Sequence, residues 1–131
     1  MIHLVVTCTG TKYIGPGLSI ADAVTSLGNR RISICDLYGE WKSLLMVQLQ
    51  ATEGLRRARD LYRGATWQSA LDAYNEIAGP RRLWIISCGF GLLSEDDYVC
   101  WYAATFKSGK PDSLYERGRF NSGAAIEVNR K

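Results

Sequence analysis

Apolar positions along this chain fall into short continuous runs separated by longer stretches with helical spacing. Ile2 to Val6 is apolar and rich in β-branched residues, which predicts a buried first strand. Tyr13 to Gly17 reads as a loop from its glycine and proline content. Ser19, with Asp22 in the first turn, predicts a capped helix over residues 20–27, stopped by Gly28 and Asn29. Ile32 to Cys35 predicts a second short strand, with residues 36–39 as a connection. Trp41, Leu44, Leu45, Val47, Leu49 and Leu55 predict a helix from about Glu40 to Arg59, with Thr52 and Gly54 offering a break. Residues 60–64 end it. Thr66 opens a further helix with Ala70, Leu71, Tyr74 and Ile77 on one stripe, ended by Gly79-Pro80. Leu83 to Ser87 is the clearest strand. It is apolar on both faces, as in the middle of a covered parallel sheet. The alternation of strand and helix predicts an α/β fold, one domain over residues 1–131, with a mostly parallel central sheet flanked by helices. The tail from Gly118 to Lys131 offers Ala124 to Ile126 and Val128 as a last strand, a last helix or a loosely held end.

Size and charge narrow the picture. The chain has 131 residues, the length of one ordinary domain, and can bury roughly two-thirds of its unfolded surface without a disulfide or metal. Hydrophobic residues at 47% and charged residues at 22% exclude a disordered chain. A net charge of +3 permits contact with a phosphate backbone without demanding it. The basic residues do cluster, at Arg30–Arg31, Arg56–Arg57 with Arg59, Arg81–Arg82, and Arg117 with Arg119. Clusters of this kind suit either a nucleic-acid face or solvated helix ends. No apolar run reaches membrane-span length, and the N-terminus has neither a basic leader nor a cleavage pattern, so a cytoplasmic protein is expected. The four cysteines, Cys8, Cys35, Cys88 and Cys100, form no CxxC pair, and His3 is the single histidine. These read as small buried thiols, with no metal site and no cofactor expected.

Three polar loops carry candidate chemistry. In an open α/β sheet, ligands bind beyond the carboxyl ends of the strands. Thr9, Gly10, Thr11 and Lys12 follow the first strand and suit a sugar, a phosphate or a polar base, although the spacing is not that of a Walker A loop. Ser87, Gly89, Phe90 and Gly91 follow the strongest strand, where backbone amides in a tight turn suit a ligand. The acidic run behind them, with Glu95, Asp96 and Asp97, could supply a carboxylate to activate water or stabilise a developing positive charge. Three acidic residues in a row equally suit a solvated turn. The third loop holds Asp60, a further carboxylate, with Tyr62 as a stacking face and Arg63 as a phosphate contact. Trp101, Tyr102 and Phe106 are further stacking candidates, whereas Trp84 reads as core.

The ordered set Cys8-Thr9-Gly10-Thr11-Lys12, Ala58 to Gly64, Trp84-Ile85-Ile86-Ser87 with Gly89-Phe90-Gly91-Leu92-Leu93, and Tyr102 to Phe106 resembles a family of small bacterial and phage α/β proteins. That family is itself similar to the uracil-DNA-glycosylase-like domain attached to archaeal tRNA-guanine transglycosylases. The resemblance spans roughly Leu4 to Ser113. It implies a Rossmann-like sheet with the site at its strand ends, glycosidic-bond chemistry, and a place in modified-base metabolism or phage defence. Cys88 stands where the family has a small residue, and Phe90 where it has tyrosine. The Gly-Gln-Asp-Pro motif of true uracil-DNA glycosylases is absent, so uracil specificity is not implied.

The expectation is a DNA glycosylase-like hydrolase acting on a modified or unusual base flipped into the loop-lined pocket. Asp97, Asp96 or Asp60 would orient water. Tyr62 or Trp101 would stack on the base, and Thr9, Thr11 and Lys12 would hold sugar or phosphate. DNA is the expected partner, with RNA or a free nucleotide as alternatives and no membrane. Two other readings stand beside it: a nucleoside or nucleotide N-glycosidase or deoxyribosyltransferase, and a non-catalytic nucleotide-sensing module of a modification system.

Overall fold

A computed structural model describes residues 1–28, 33–105, 110, 112 and 113. The chain divides into two compact units, one of Met1–Pro16 with Thr52–Trp101, the other of Gly17–Ala51 with the described residues from Tyr102 onward. In chain order the elements are β1 (Ile2–Thr7), β2 (Gly17–Ser19), α1 (Ile20–Ser26), α2 (Ile34–Ala51), β3 (Arg56–Arg57), α3 (Ala58–Leu61), α4 (Ala65–Glu76), β4 (Arg81–Ser87), β5 (Gly91–Ser94), β6 (Tyr98–Val99) and β7 (Trp101–Ala103).

The first unit is built on a three-stranded sheet of order β1-β4-β5. β1 runs parallel to β4, from Ile2 opposite Arg81 to Thr7 opposite Ile86. β5 runs antiparallel to β4, from Ser94 opposite Trp84 to Gly91 opposite Ser87. This overturns the expected mostly parallel, Rossmann-like sheet flanked by helices. The reason is local: only residues 88–90 separate β4 from β5, and Gly91 has φ of 80°. A parallel return needs a crossover of about a dozen residues or more, and a three-residue turn permits only a hairpin. A second antiparallel pair, β3 with β6, places Arg56 opposite Val99 and Arg57 opposite Tyr98.

The central strand is also not covered on both sides. Side chains alternate across a strand, and Leu83, Ile85 and Leu93 are buried while Val5, Ile86 and Leu92 on the other face are 54%, 45% and 64% exposed. On that open face Trp84 Nε1 donates to His3 Nδ1 at 2.9 Å and the two rings stack. β1 is therefore a half-exposed strand.

In the second unit Ser19 caps α1. Its hydroxyl accepts from the Ala21 amide and its own amide donates to Asp22, closing a capping box. Gly28, at φ of 84°, ends the helix as expected. The predicted strand at 32–35 is replaced: Ile32 lies outside the described residues, and Ile34 and Cys35 open α2. The Ser33 hydroxyl accepts from the Asp36 amide at 3.0 Å, so a side-chain cap outweighs the β-branched propensity. Leu37, Trp41 and Leu45, one helical turn apart, are buried. α2 stops at Ala51 rather than near Arg59, ahead of Gly54 at φ of 68°. β2 pairs with β7 in a two-stranded sheet. The expectations for Arg30, Arg31, Phe106, Arg117, Arg119 and the tail after Gly118 fall outside the described residues. No helix among the described residues is long and apolar enough to cross a membrane.

Candidate functional site

The first unit carries a cleft of about 430 Å³ lined by Tyr13, Arg56, Arg59, Asp60, Tyr62, Arg63, Gly64, Trp67, Gln68 and Leu71. Its floor follows from how two segments pair. The chain after β1 lies antiparallel to the end of α3. Tyr13 N donates to the Leu61 carbonyl at 2.8 Å, and Arg63 N donates to the Thr11 carbonyl at 2.9 Å. The Thr9 hydroxyl reaches the carbonyls of both Thr11 and Arg63, at 3.0 and 3.1 Å. Lys12 and Tyr62 face each other in the resulting bridge. The loop of Thr9 to Lys12, expected to hold substrate, also has a structural role. It fastens residues 61–63 and delivers Tyr13 to the cleft.

Gly64 turns the chain from this bridge into α4. Its φ of 101° is a conformation that L side chains rarely adopt. It stands at the N-cap of α4 with no side-chain cap and lines the cleft. Trp67, one turn along, is buried; its ring lies 5.1 Å from Tyr62 and its Nε1 donates to the Arg59 carbonyl. Tyr62 is itself buried, and its hydroxyl donates to Ser87 Oγ at 3.1 Å.

Ser87 gathers further donors. Its Oγ also accepts from the amides of Gly89 and Phe90, at 3.3 and 3.1 Å. The hydroxyl is 3% exposed at the residue level, so the turn after β4 directs its amides inward. Cys88 N meets Cys8 Sγ at 3.3 Å across the β1–β4 pair. Among the cysteines, Cys100 is buried, Cys8 and Cys88 are half-buried and Cys35 is exposed. Burial pushes the Cys100 thiol pKa up.

The carboxylates separate into two groups. Asp97 Oδ2 accepts from the Ser94 amide at 2.8 Å, and the Asp97 amide returns to the Ser94 carbonyl, so this residue closes the β5–β6 turn. Asp96 pairs with Arg57 at 3.3 Å on the surface. Glu95 is more deeply held: it pairs with Arg59 at 2.9 Å and accepts from the Tyr74 hydroxyl at 2.6 Å. That bond, followed by burial, raises the Tyr74 phenol pKa. Of the carboxylates read as catalytic candidates, Asp60 alone lines the cleft, and it is exposed.

Of the expected binding residues, Tyr62 and Arg63 line the cleft, while Thr9, Gly10, Thr11, Lys12, Ser87, Gly89, Phe90 and Gly91 lie in the segments that shape it or in the β4–β5 turn. Trp101 is half-buried in β7, and Tyr102 is 0% exposed, which leaves it no face for a base. Sequence reasoning missed Tyr13, Arg56, Arg59, Trp67 and Gln68 as cleft residues. The arginine run was visible, but nothing in the sequence told which arginines would be neutralised. Comparison with protein-family models, with curated proteins and with solved structures found no match to this chain.

Proposed function

We propose that this chain is a DNA glycosylase-like enzyme that hydrolyses the N-glycosidic bond of a modified or unusual nucleobase in the cytoplasm, in defence against phage. One observation carries the reading: a solvent-reached carboxylate, Asp60, shares a cleft with Tyr13, Trp67, Gln68 and three arginines. A cleft of about 430 Å³ falls in the range of small-ligand sites, roughly 300–1,000 Å³, and suits one nucleotide turned out of its stack.

In the proposed reaction water attacks C1′ of the sugar as the C1′–N bond breaks. The electron pair leaves with the base nitrogen, which takes a proton from solvent. Asp60 orients the water, accepts its proton and stabilises the positive charge that develops on the sugar. Gln68 offers the base hydrogen bonds at the cleft.

A second reading is favoured by the cleft's size. Room for a single nucleotide also suits an N-glycosidase or deoxyribosyltransferase acting on free nucleotides.

The test is base release from a panel of natural and phage-type modified DNAs and free nucleotides, with alkali cleavage of abasic sites. We expect release from one modified DNA, reduced about 10²–10⁴-fold by Asp60→Asn. Release from free nucleotides alone selects the second reading. Release that survives Asp60→Asn overturns the assignment of this carboxylate.

A further inference from the structure

Four arginines lie between positions 56 and 63, and they meet two different fates. Arg57 pairs with Asp96 and Arg59 with Glu95. Arg56 and Arg63 make no ion pair among the described residues. Both instead hold their guanidinium groups over the ring of Tyr13, at 4.6 and 4.3 Å from its centroid. All three residues are exposed at the cleft.

Two positive groups on one small ring lie within about one Debye length (~10 Å) of each other. Their mutual repulsion is opposed by the ring, and neither pairs with a carboxylate among the described residues. A guanidinium carries five N–H donors, and one held over a ring without an ion pair keeps donors for the fork that matches an oxyanion. The N-terminal end of α4 at Gly64 borders the same cleft, and the helix dipole adds to its positive potential. Asp60, the one carboxylate of the lining, supplies the contrast that places a phosphate at one part of the cleft and the sugar at another.

We infer that Arg56, Tyr13 and Arg63 form a clamp for the phosphate of a nucleotide. The ring pre-orients both guanidinium groups, and the bound phosphate relieves their repulsion. Tyr13 acts as a positioning residue. The inference rests on the proposed function for the identity of the anion as a nucleotide phosphate, and on the arginine geometry for the anion itself.

The test uses the full chain with three probes: thymidine, thymidine 5′-monophosphate, and a short labelled single-stranded oligodeoxynucleotide. We expect the monophosphate to bind at least tenfold more tightly than the nucleoside. Arg56→Gln and Arg63→Gln should each weaken phosphate-bearing probes by about tenfold. Arg57→Gln, outside the cleft, should leave binding unchanged. For the oligonucleotide, the slope of log K against log salt should become shallower by roughly 0.7 per arginine removed. A tight oligonucleotide with a weak monophosphate assigns the clamp to a nucleic-acid backbone, and equal affinities assign it to a free nucleotide.

Equal binding of nucleoside and monophosphate overturns the clamp. So does unchanged affinity in the double variant, with Arg56→Lys and Arg63→Lys standing in if the glutamine forms do not fold. Catalysis is scored separately. If wild type releases a base and the double variant does so with unchanged KM, the clamp fails and the glycosylase reading stands. If phosphate binding depends on both arginines but no substrate loses a base, the clamp stands and the glycosylase reading fails.

Discussion

The turn after β4 and the segment from Arg56 to Gly64, of which residues 60–64 read as a ligand loop and Arg56 to Arg59 as a helix end, spend their polar groups in opposite ways. In the turn, Ser87 Oγ takes three donors from within the fold, and its amides point at that oxygen. In the segment, two guanidinium groups rest on an aromatic ring with no ion pair among the described residues, beside an exposed carboxylate. A polar group satisfied internally stabilises the fold and has little left to offer a ligand. A polar group held in place without a partner is the one with binding energy to give. The same division runs through the acidic residues, where Asp97 closes a turn and Asp60 faces the cleft.

The sharpest way to break this comparison is Ser87→Ala. It removes a buried acceptor shared by the Tyr62 hydroxyl and two amides. We expect a loss of about 3 kcal/mol, read from urea unfolding midpoints. A change under 1 kcal/mol would mean that the node is not structural and that the turn is free to serve a ligand. Glu95→Gln is next. It deprives a partly buried Arg59 of its counter-charge and weakens the bond to Tyr74, and we expect about 2 kcal/mol by the same measurement. Its effect on the cleft should be confined to the position of Arg59. The smallest effect belongs to Asp96→Asn, whose solvent-screened surface pair with Arg57 should leave the urea midpoint unchanged. Base release should be unchanged in this variant. A large loss of activity there, with stability intact, would return Asp96 to the catalytic candidates.

Much of the local structure was legible. The β1 and β4 strands, the Ser19 cap, α4 and the stops at Gly28 and Gly79 all follow from short-range rules of periodicity and capping. The failures share a cause. Ile34 and Cys35 look like a strand until the Ser33 cap is counted, and the apolar spacing through Leu55 looks helical until Gly54 turns the chain. Leu92 and Leu93 read as part of a ligand loop because the run beyond Gly91 is too short to show its pairing.

The residue types of the site were determined by the sequence alone: a run of arginines from 56 to 63, with Asp60 and Tyr62 inside it, and Tyr13 far upstream. Which of them meet was decided by tertiary structure. Tyr13 and Arg63 are fifty residues apart in sequence and converge because backbone bonds tie Thr11 and Tyr13 to Leu61 and Arg63. Among the described residues, Arg57 and Arg59 are set apart from Arg56 and Arg63 by where Asp96 and Glu95 fold back onto the chain. Short-range preferences act through neighbouring residues and can be read along the chain. Charge neutralisation acts through space, at separations of thirty-six and thirty-nine residues here, and has no signature in local pattern.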